Sequence, residues 1–598
     1  MNTKTSKNDK SMKKMIDMYF EELNTYYKKY GNKVILLWQC GGFYEVYTLR
    51  NPTTNTFDIS NFDDFIEITH MNRANKKHYM YHNGIKKEVW MAGFNFDENL
   101  LDKWVKVLTD NGYTVPIWEE YIIAGKKPKG RKEVYIYSPG TNFINDTKRI
   151  SNNIACYFIE SHSKNKIIKE NNISCGCSTV DIFTGRTILF QYKKKQELIH
   201  NPNIFNELER FNSIHNPKEI IIIHNYENEE YIQDIIGSAE LHTKHIHILS
   251  LLNTDNIQSQ YAINCGEQSY QKSIINNYYE NVDYDTFIES TRLSYNFYAF
   301  KSFCFLLNFI HEHNPQLTNK INYPIFENSS TNLMLGNHSL KQLNIIDTYN
   351  SSGPYSCVEK IMNKCLTSMG KRSLKYRILH PNTDCTYLKE EYNILEHVIN
   401  NIDKYNGIRK KLVNIKDIEK LYRKAICQKV LPNDLYIFYE NLKLITSIHN
   451  IIKTDHVIQK YIKLRTNIDI VNTCKTLTEY LENSINMEIC SKIYNNKFES
   501  NFFKRNVNDV LDEIEDKKIN ADNRLLGFAR YLTKLINIDD KRSNNGKNII
   551  KIHKTAKSGI QLQTTKRRSA FLIKNIKKTP KHTYYYKVNN TTQVDSFE

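Results

Sequence analysis

Long apolar runs are missing from this sequence. The longest, such as Phe303-Cys304-Phe305-Leu306-Leu307, fall far short of the ~20 residues that a membrane span requires. Met1 to Met15 is polar and Lys-rich with no apolar h-region, which excludes a secretory signal. The twelve cysteines follow no framework spacing and read as free thiols of a reducing compartment, so the expectation is a soluble, intracellular, non-membrane protein. Acidic residues are absent between Lys541 and Val594, a stretch with fourteen Lys and Arg. A Gly-x-x-x-x-Gly-Lys-Ser/Thr loop is absent too: Gly370-Lys371-Arg372 and Gly546-Lys547-Asn548 lack both the upstream Gly and the hydroxyl residue. Without a loop to cradle phosphates, ATP hydrolysis is not expected of this polypeptide.

What is present is a chain of 598 residues, too long for one core and enough for three to five domains. Hydrophobic content of 40% and charged content of 25% are ordinary for a folded protein. The charge of +18 and pI near 9.1 point to a polyanionic partner. That charge is concentrated at the C-terminal end, since Met1 to Asp540 carries only +6. Abundant Asn, Lys, Ile and Tyr suit an AT-rich genome, such as that of a large DNA virus or an organelle, so the 40 tyrosines are not evidence of base stacking.

The chain is organised around Gln39-Cys40-Gly41-Gly42-Phe43-Tyr44-Glu45-Val46-Tyr47. The run Val34 to Trp38 reads as a buried strand, Gly41-Gly42 as a break, and Phe43 to Tyr47 as a second strand. Alternation puts Phe43 and Glu45 on one face. By itself Phe-x-Glu reads as a half-buried strand, with Phe43 in the core and Glu45 at its rim. An amphipathic helix (Met15, Met18, Tyr19, Leu23, Tyr26) precedes it. Downstream, Trp90 to Phe94 gives a strand, Leu100 to Leu108 a helix and Tyr113 to Glu120 a strand, before a basic loop from Gly125 to Lys132.

Residues 150–265 alternate strands and helices. Ile154 to Ile159 and Cys175 to Gly185 supply strands, and Ile220 to Ile223 is a fully buried strand by its β-branched run. A nuclease would need clustered carboxylates for Mg²⁺; Asp181 is one candidate, but the Ile220 strand ends in His224-Asn225 with no acid. Cys175-x-Cys177 and His242, His245 and His247 lack partners at zinc-finger spacing, and His311-Glu312-His313 lacks the His-Glu-x-x-His spacing. Buried thiols and strand histidines are the simpler reading, with no metal site.

From about Asp285 the pattern turns helical. Leu435, Phe438, Leu442, Ile445, Ile448 and Ile452 recur at steps of three and four. A charged helix from Asn506 to Leu535 precedes two short strands, Ile549 to Ile552 and Ile560 to Gln563, joined by Ala556 to Gly559 as a hairpin. Lys551, Lys554, Lys557, Lys566, Arg567 and Arg568 sit on or beside it, either as a phosphate-neutralising tip or as a solvated basic tail.

Ile35 to Tyr47 resembles the mismatch-reading loop of the MutS family of DNA mismatch sensors, with Gly42 where Asp is common. Ser138-Pro139-Gly140-Thr141 is similar to the family's boundary line, and Glu120 stands where Gln is usual. Three further lines resemble the family's lever in order: Asn337-His338-Ser339-Leu340-x-x-Leu343-Asn344-Ile345; Thr367-Ser368-Met369-Gly370-x-Arg372 to Pro381; and Asp417-Ile418-Glu419-Lys420-Leu421-x-Arg423 with Pro432-x-Asp434-Leu435. The resemblance implies a multidomain α/β plus all-α chain: a small α/β mismatch-binding domain (1–132), an RNase H-like connector (133–270), a long helical lever (271–497) with a clamp insertion (498–575), and a disordered basic tail (576–598). It implies that Phe43 wedges at a mispaired base, that Glu45 hydrogen-bonds that base, and that the clamp's Lys and Arg hold the duplex backbone. The partners implied are mismatched double-stranded DNA, a homo- or heterodimer mate, and a separate ATPase chain. ATP and Mg²⁺ would act only through that separate chain or through an ATPase domain missing from a truncated product of a longer gene, and this chain would carry no cofactor and no enzyme activity. A degenerate scaffold that binds duplex or a partner chain without discrimination remains the alternative.

Overall fold

The computed structural model describes residues 2–576 apart from 52–53, 55, 59, 83, 122–129, 144–148, 164–170, 197–201, 229, 280–281, 328–331, 348–352, 495–500, 540–548 and 556–558. The expected tail, 576–598, apart from Ile576, which ends a helix, and much of the expected basic loop before Lys132 lie outside these residues. Mixed α/β sheets come first and a largely helical region follows. The chain forms two compact units, Met1–Thr478 with Ile493–Asn496, and Glu479–Lys492 with Lys497–Glu598.

The first unit opens with the helix Asn2–Tyr30, whose Ile16, Tyr19, Leu23, Tyr26 and Tyr30 form one buried stripe at steps of three and four. It covers a sheet of β1 (Leu37–Cys40), β2 (Phe43–Arg50), β3 (Phe57–Asp58), β4 (Ala74–His82), β5 (Ile85–Asn95), β6 (Val115–Tyr121) and β7 (Gly130–Tyr137). The order is β4-β5-β2-β1-β6-β7, with β3 on β2. Only β1 and β6 run parallel. The helix Glu98–Asp110 that joins β5 to β6 is capped by Asp97, which accepts from the amides of Asn99 and Leu100. Two expectations shift here. The first strand begins at Leu37 rather than Val34, which makes only an isolated bridge to Thr114. Arg131 and Lys132, expected in a loop, lie in β7 and pair with Glu120 and Glu119.

The second sheet contains β8 (Asn153–Ser163), β9 (Asn171–Asp181), β10 (Thr187–Gln196), β11 (Glu219–His224), β12 (Ile246–Ser250) and β13 (Ile325–Phe326), in the order β12-β11-β8-β9-β10-β13. β8, β9 and β10 form an antiparallel meander, and β11 and β12 are added parallel to β8. Ile220 to Ile223 are fully buried, as a strand covered on both faces must be. The helix Phe297–His313 lies on this sheet. A Cβ on Gly176 would stand 2.0 Å from the Tyr298 carbonyl carbon, so only glycine lets the helix backbone come this close to β9.

The helical region is joined to the second sheet by arginines. Arg372 donates to both Asp417 carboxylate oxygens at 2.7 Å, to Glu419 and to the Ile150 carbonyl at 2.9 Å. Arg423 is only 1% exposed and donates to the carbonyls of Ile182, Leu317 and Asn319. Lys424 bridges both oxygens of Asp434 at 2.8 and 2.9 Å, and Leu340 packs with Leu379 and Ile346. Farther along, burial thins. Of the stripe on the helix Pro432–Ile452 only Leu442 is fully buried, and Tyr392 and Ile399 are 62% and 65% exposed.

The second unit holds the helix Asp509–Asn537, capped by Asn508, then the antiparallel hairpin β14 (Lys551–Thr555) and β15 (Gly559–Gln563), and the helix Lys566–Ile576. Ile549 and Ile550, expected to begin the first strand, are buried with Leu532, Ile536 and Leu572 instead. Among the described residues no helix is long and apolar enough to cross a membrane.

Replacing Arg372 by Met leaves Asp417 without its bidentate partner in a poorly solvated joint. A loss on the order of 3–5 kcal/mol is expected, read as a lower midpoint of denaturant unfolding by circular dichroism. In a cycle with Asp417→Leu, the double variant should lose less than the sum of the two single variants.

Candidate nucleic-acid interface

β1 and β2 are joined by a two-residue hairpin, Gly41-Gly42, with Cys40 opposite Phe43. Gly41 has φ +58°, which a Cβ disfavours, so glycine at the first turn position is a backbone requirement. Gly42 has no such φ, and nothing lies within 4 Å of its Cβ position. The turn is held from outside by Glu120. Its carboxylate accepts from the Gly41 amide at 3.3 Å and from Arg131 at 2.6 Å, while its own amide donates to Gln39 at 2.7 Å. Arg131 also donates to the Gln39 carbonyl at 2.7 Å. An acid at position 120 thus has a cationic partner built into β7.

Phe43 begins β2 at the tip and is 49% exposed, whereas Tyr44, Val46 and Tyr47 behind it are buried. The exposed Phe96 follows β5 beside this turn; its amide donates to the Gly42 carbonyl at 2.8 Å and its ring packs on Tyr44. Glu45 is placed differently from a rim residue: it is 3% exposed. Lys76 reaches it from β4 at 3.0 and 2.8 Å, and the Tyr47 hydroxyl donates to it. Burial and the Glu45 charge push the Tyr47 phenol far above its ordinary range, so it remains a donor. Lys76 sits where the β4–β5 register shifts, between Asn75 and Tyr79, and Lys77 beside it has φ +56°. Thus the simple strand reading is inverted in both parts: the aromatic is outside and the carboxylate inside. No local sequence pattern announces Lys76, because a bulge on a neighbouring strand delivers it.

The basic candidates of the second unit separate into two groups. Lys551 is exposed on β14, and Lys554 lies on the same strand, its side chain outside the described residues, as is Lys557 entirely. Lys566, Arg567 and Arg568 form the first turn of the helix Lys566–Ile576 rather than a flank of the hairpin, and Arg567 lies over the Phe571 ring at 5.8 Å.

The remaining candidates resolve individually. Asp181 caps the β9–β10 turn, accepting from the amides of Asn152 and Phe183 at 2.9 and 3.1 Å and from the Thr184 hydroxyl at 2.8 Å. Among the described residues it belongs to no group of three or more side chains placed to hold a metal ion. Cys175 and Cys177 are buried with their sulfurs 3.7 Å apart, and all twelve cysteines are free thiols. His311 bonds Thr318, Glu312 pairs with Lys29 and His313 bonds the Phe309 carbonyl, so that triplet does not converge. His242 is exposed, but His245 and His247 are buried together with Glu219, an acid that sequence spacing does not connect to them.

The turn geometry makes a direct stability test. Gly42→Asp should unfold within about 0.5 kcal/mol of the parent, while Gly41→Val should lose at least about 1 kcal/mol for the left-handed backbone. Tryptophan fluorescence in a urea titration reads both, since all four tryptophans (Trp38, Trp90, Trp104, Trp118) belong to the first sheet and its helix.

Comparison with known proteins adds identity. Residues 338–580 match the family profile of MutS domain III. A putative DNA mismatch repair protein mutS homolog of Acanthamoeba polyphaga mimivirus is 26% identical over 94% of this chain and 50% of its own length. The DNA mismatch repair protein MutS of Caldanaerobacter subterraneus is 22% identical over 81% of this chain and 49% of its own. A mitochondrial mutS homolog of Sarcophyton glaucum is 24% identical over 68% and 43%. The chain spans about half the length of the curated relatives it matches. The chain thus carries a MutS domain III at residues 338–580 and is similar along most of its length to MutS homologues.

Proposed function

We propose that this chain binds duplex DNA and senses mispairs with Phe43, holding the backbone through Lys551, Lys554, Lys557, Lys566, Arg567 and Arg568. One observation carries the reading: among the aromatics of β2, Phe43 alone stands outward, at the tip of a hairpin braced by Glu120 and Arg131. An apolar wedge entering a minor groove must unstack a base step at a cost of a few kcal/mol. A mispaired step unstacks more cheaply, so deformability supplies the selection.

Glu45 takes the second role once a duplex draws Lys76 away. Phosphates compete for the ammonium, and the released carboxylate, with Tyr47 beside it, turns to the displaced base. Backbone affinity comes from the second unit. Lys566, Arg567 and Arg568 crowd the positive end of a helix dipole, where cations repel and a phosphate is favoured. The order of the second sheet supports an RNase H-like connector without nuclease chemistry, since Asp181 is spent on a turn. Domain limits follow as 1–132, 133–270, 271–497 and 498–575. ATP and Mg²⁺ act through a separate ATPase domain, and a homo- or heterodimer is the assembly.

A specific observation favours the second reading, a duplex-binding scaffold that does not discriminate: Glu45 is sealed beneath Lys76 and Tyr47. Binding to a G·T duplex and to its homoduplex across a salt series separates the two. Mismatch preference is expected, and Phe43→Ala should weaken G·T binding by about 1–3 kcal/mol, the worth of one base–aromatic stack, leaving homoduplex binding unchanged. Equal binding to both duplexes by the parent would establish the scaffold. Changing Lys566, Arg567 and Arg568 to Gln should weaken both duplexes alike and reduce the salt slope by roughly 0.9 per lost phosphate contact.

A further inference from the structure

At the edge of the second sheet, β11 begins with Glu219 and β12 is entered through His245 and Ile246, with Ile220 opposite Ile246. Parallel neighbours lie about 4.8 Å apart, so Glu219 comes beside His245, and His247 follows His245 on the same face. All three are buried, Glu219 completely and His245 to 4% exposure. One ligand-capable atom of each lies within 4.8 Å of the others, and His247 Nε2 is 2.7 Å from Glu219 Oε1. The imidazoles of His245 and His247 are 4.3 Å apart at their centroids.

The surroundings orient these groups as metal ligands are oriented. The second oxygen of Glu219 accepts from the Ser138 hydroxyl and, at 2.8 Å, from the Gly140 amide. His245 hydrogen-bonds the Gly112 backbone, yet its Nε2 has no partner, so the bond is made through Nδ1 and the Nε2 lone pair is unused. Two further buried polar atoms lack partners at the same place. His313 gives Nδ1 to the Phe309 carbonyl and leaves Nε2 unpartnered, and the Tyr30 hydroxyl is unpartnered with its ring 5.0 Å from that of His313 and 6.4 Å from that of His247. Buried polar atoms without partners are uncommon in folded proteins, and three around one carboxylate mark a place built for something more.

We propose that Glu219, His245 and His247 bind a divalent transition-metal ion of the zinc type. Two neutral imidazoles and one carboxylate form the nitrogen and oxygen set that zinc accepts at about 2.0–2.2 Å. The ion replaces the Glu219–His247 hydrogen bond, which requires those two atoms to part by a few tenths of an ångström. A water completes the coordination and satisfies His313 Nε2 and Tyr30 Oη. The site is structural: it ties β11 and β12 to the turn Ser138–Thr141, through which the chain passes from the first sheet to the second.

The test uses the full chain, stripped with chelator and titrated with Co²⁺ and then Zn²⁺. One equivalent of Co²⁺ should give visible d–d bands that Zn²⁺ abolishes, and His245→Gln should weaken binding at least tenfold. X-ray absorption of the zinc-loaded parent, which needs no variant to fold, should show imidazole nitrogen and oxygen neighbours. Absence of stoichiometric binding by the parent overturns the site. So does a sulfur shell at about 2.3 Å, which would place the metal on the cysteines, and so does unchanged binding by a folded His245→Gln protein.

Discussion

Arg423 carries the main constraint on the first unit. A guanidinium cannot be left dry without acceptors, and this one meets three backbone carbonyls, from the β9–β10 turn and from the segment after the helix Phe297–His313. Those carbonyls belong to a turn of the second sheet and to the segment after its covering helix, whereas Arg423 belongs to the helical region. Neither side can satisfy its polar groups alone. Arg372, on the helix Ser368–Leu379, makes the same kind of joint, bound to Asp417, Glu419 and the Ile150 carbonyl. The Asp417-x-Glu419 pair and the Met369-Gly370-x-Arg372 line are therefore two halves of one contact. Charged groups that need fixed partners specify a single docking of helices on sheet, which apolar packing at the thinly buried lever could not do.

The same logic governs the exposed hairpin. Phe43 can stand in water because the backbone behind it is fixed by groups that cannot relax: Gly41 in a left-handed turn, Glu120 on the Gly41 amide, and Arg131 across both. Gly93 adds to this, since a Cβ there would lie 2.2 Å from the Tyr44 carbonyl oxygen. The departures at positions 42 and 120 are accommodated in distinct ways. Gly42 is open to a larger side chain, and Glu120 is neutralised by Arg131. Holding a carboxylate dry beneath this tip requires Lys76 and Tyr47 together, which couples the state of Glu45 to anything that competes for a lysine.

Much of the architecture was legible in the residues. The amphipathic stripe Tyr19–Leu23–Tyr26, the β-branched run Ile220–Ile223 and the helix through Leu100 to Leu108 are local patterns whose burial follows from period and residue type. Local pattern failed where pairing partners decided the outcome. β7 was hidden because Arg131 and Lys132 look like loop residues, yet β6 supplies their acids. Ile549 and Ile550 have strand character but are drawn into a small core by the helix Asp509–Asn537.

By itself the sequence determined that α/β segments precede a helical region, the break at Gly41-Gly42, the absence of a phosphate-binding loop, and the basic C-terminal end, because each depends on neighbours a few residues apart. Only the tertiary structure decided that Phe43 faces out while Glu45 is sealed by Lys76, that Arg372 closes on Asp417, and that Glu219 meets His245 and His247. These are contacts between residues 26 to 45 positions apart, and their energies depend on desolvation and on partners that no local period encodes.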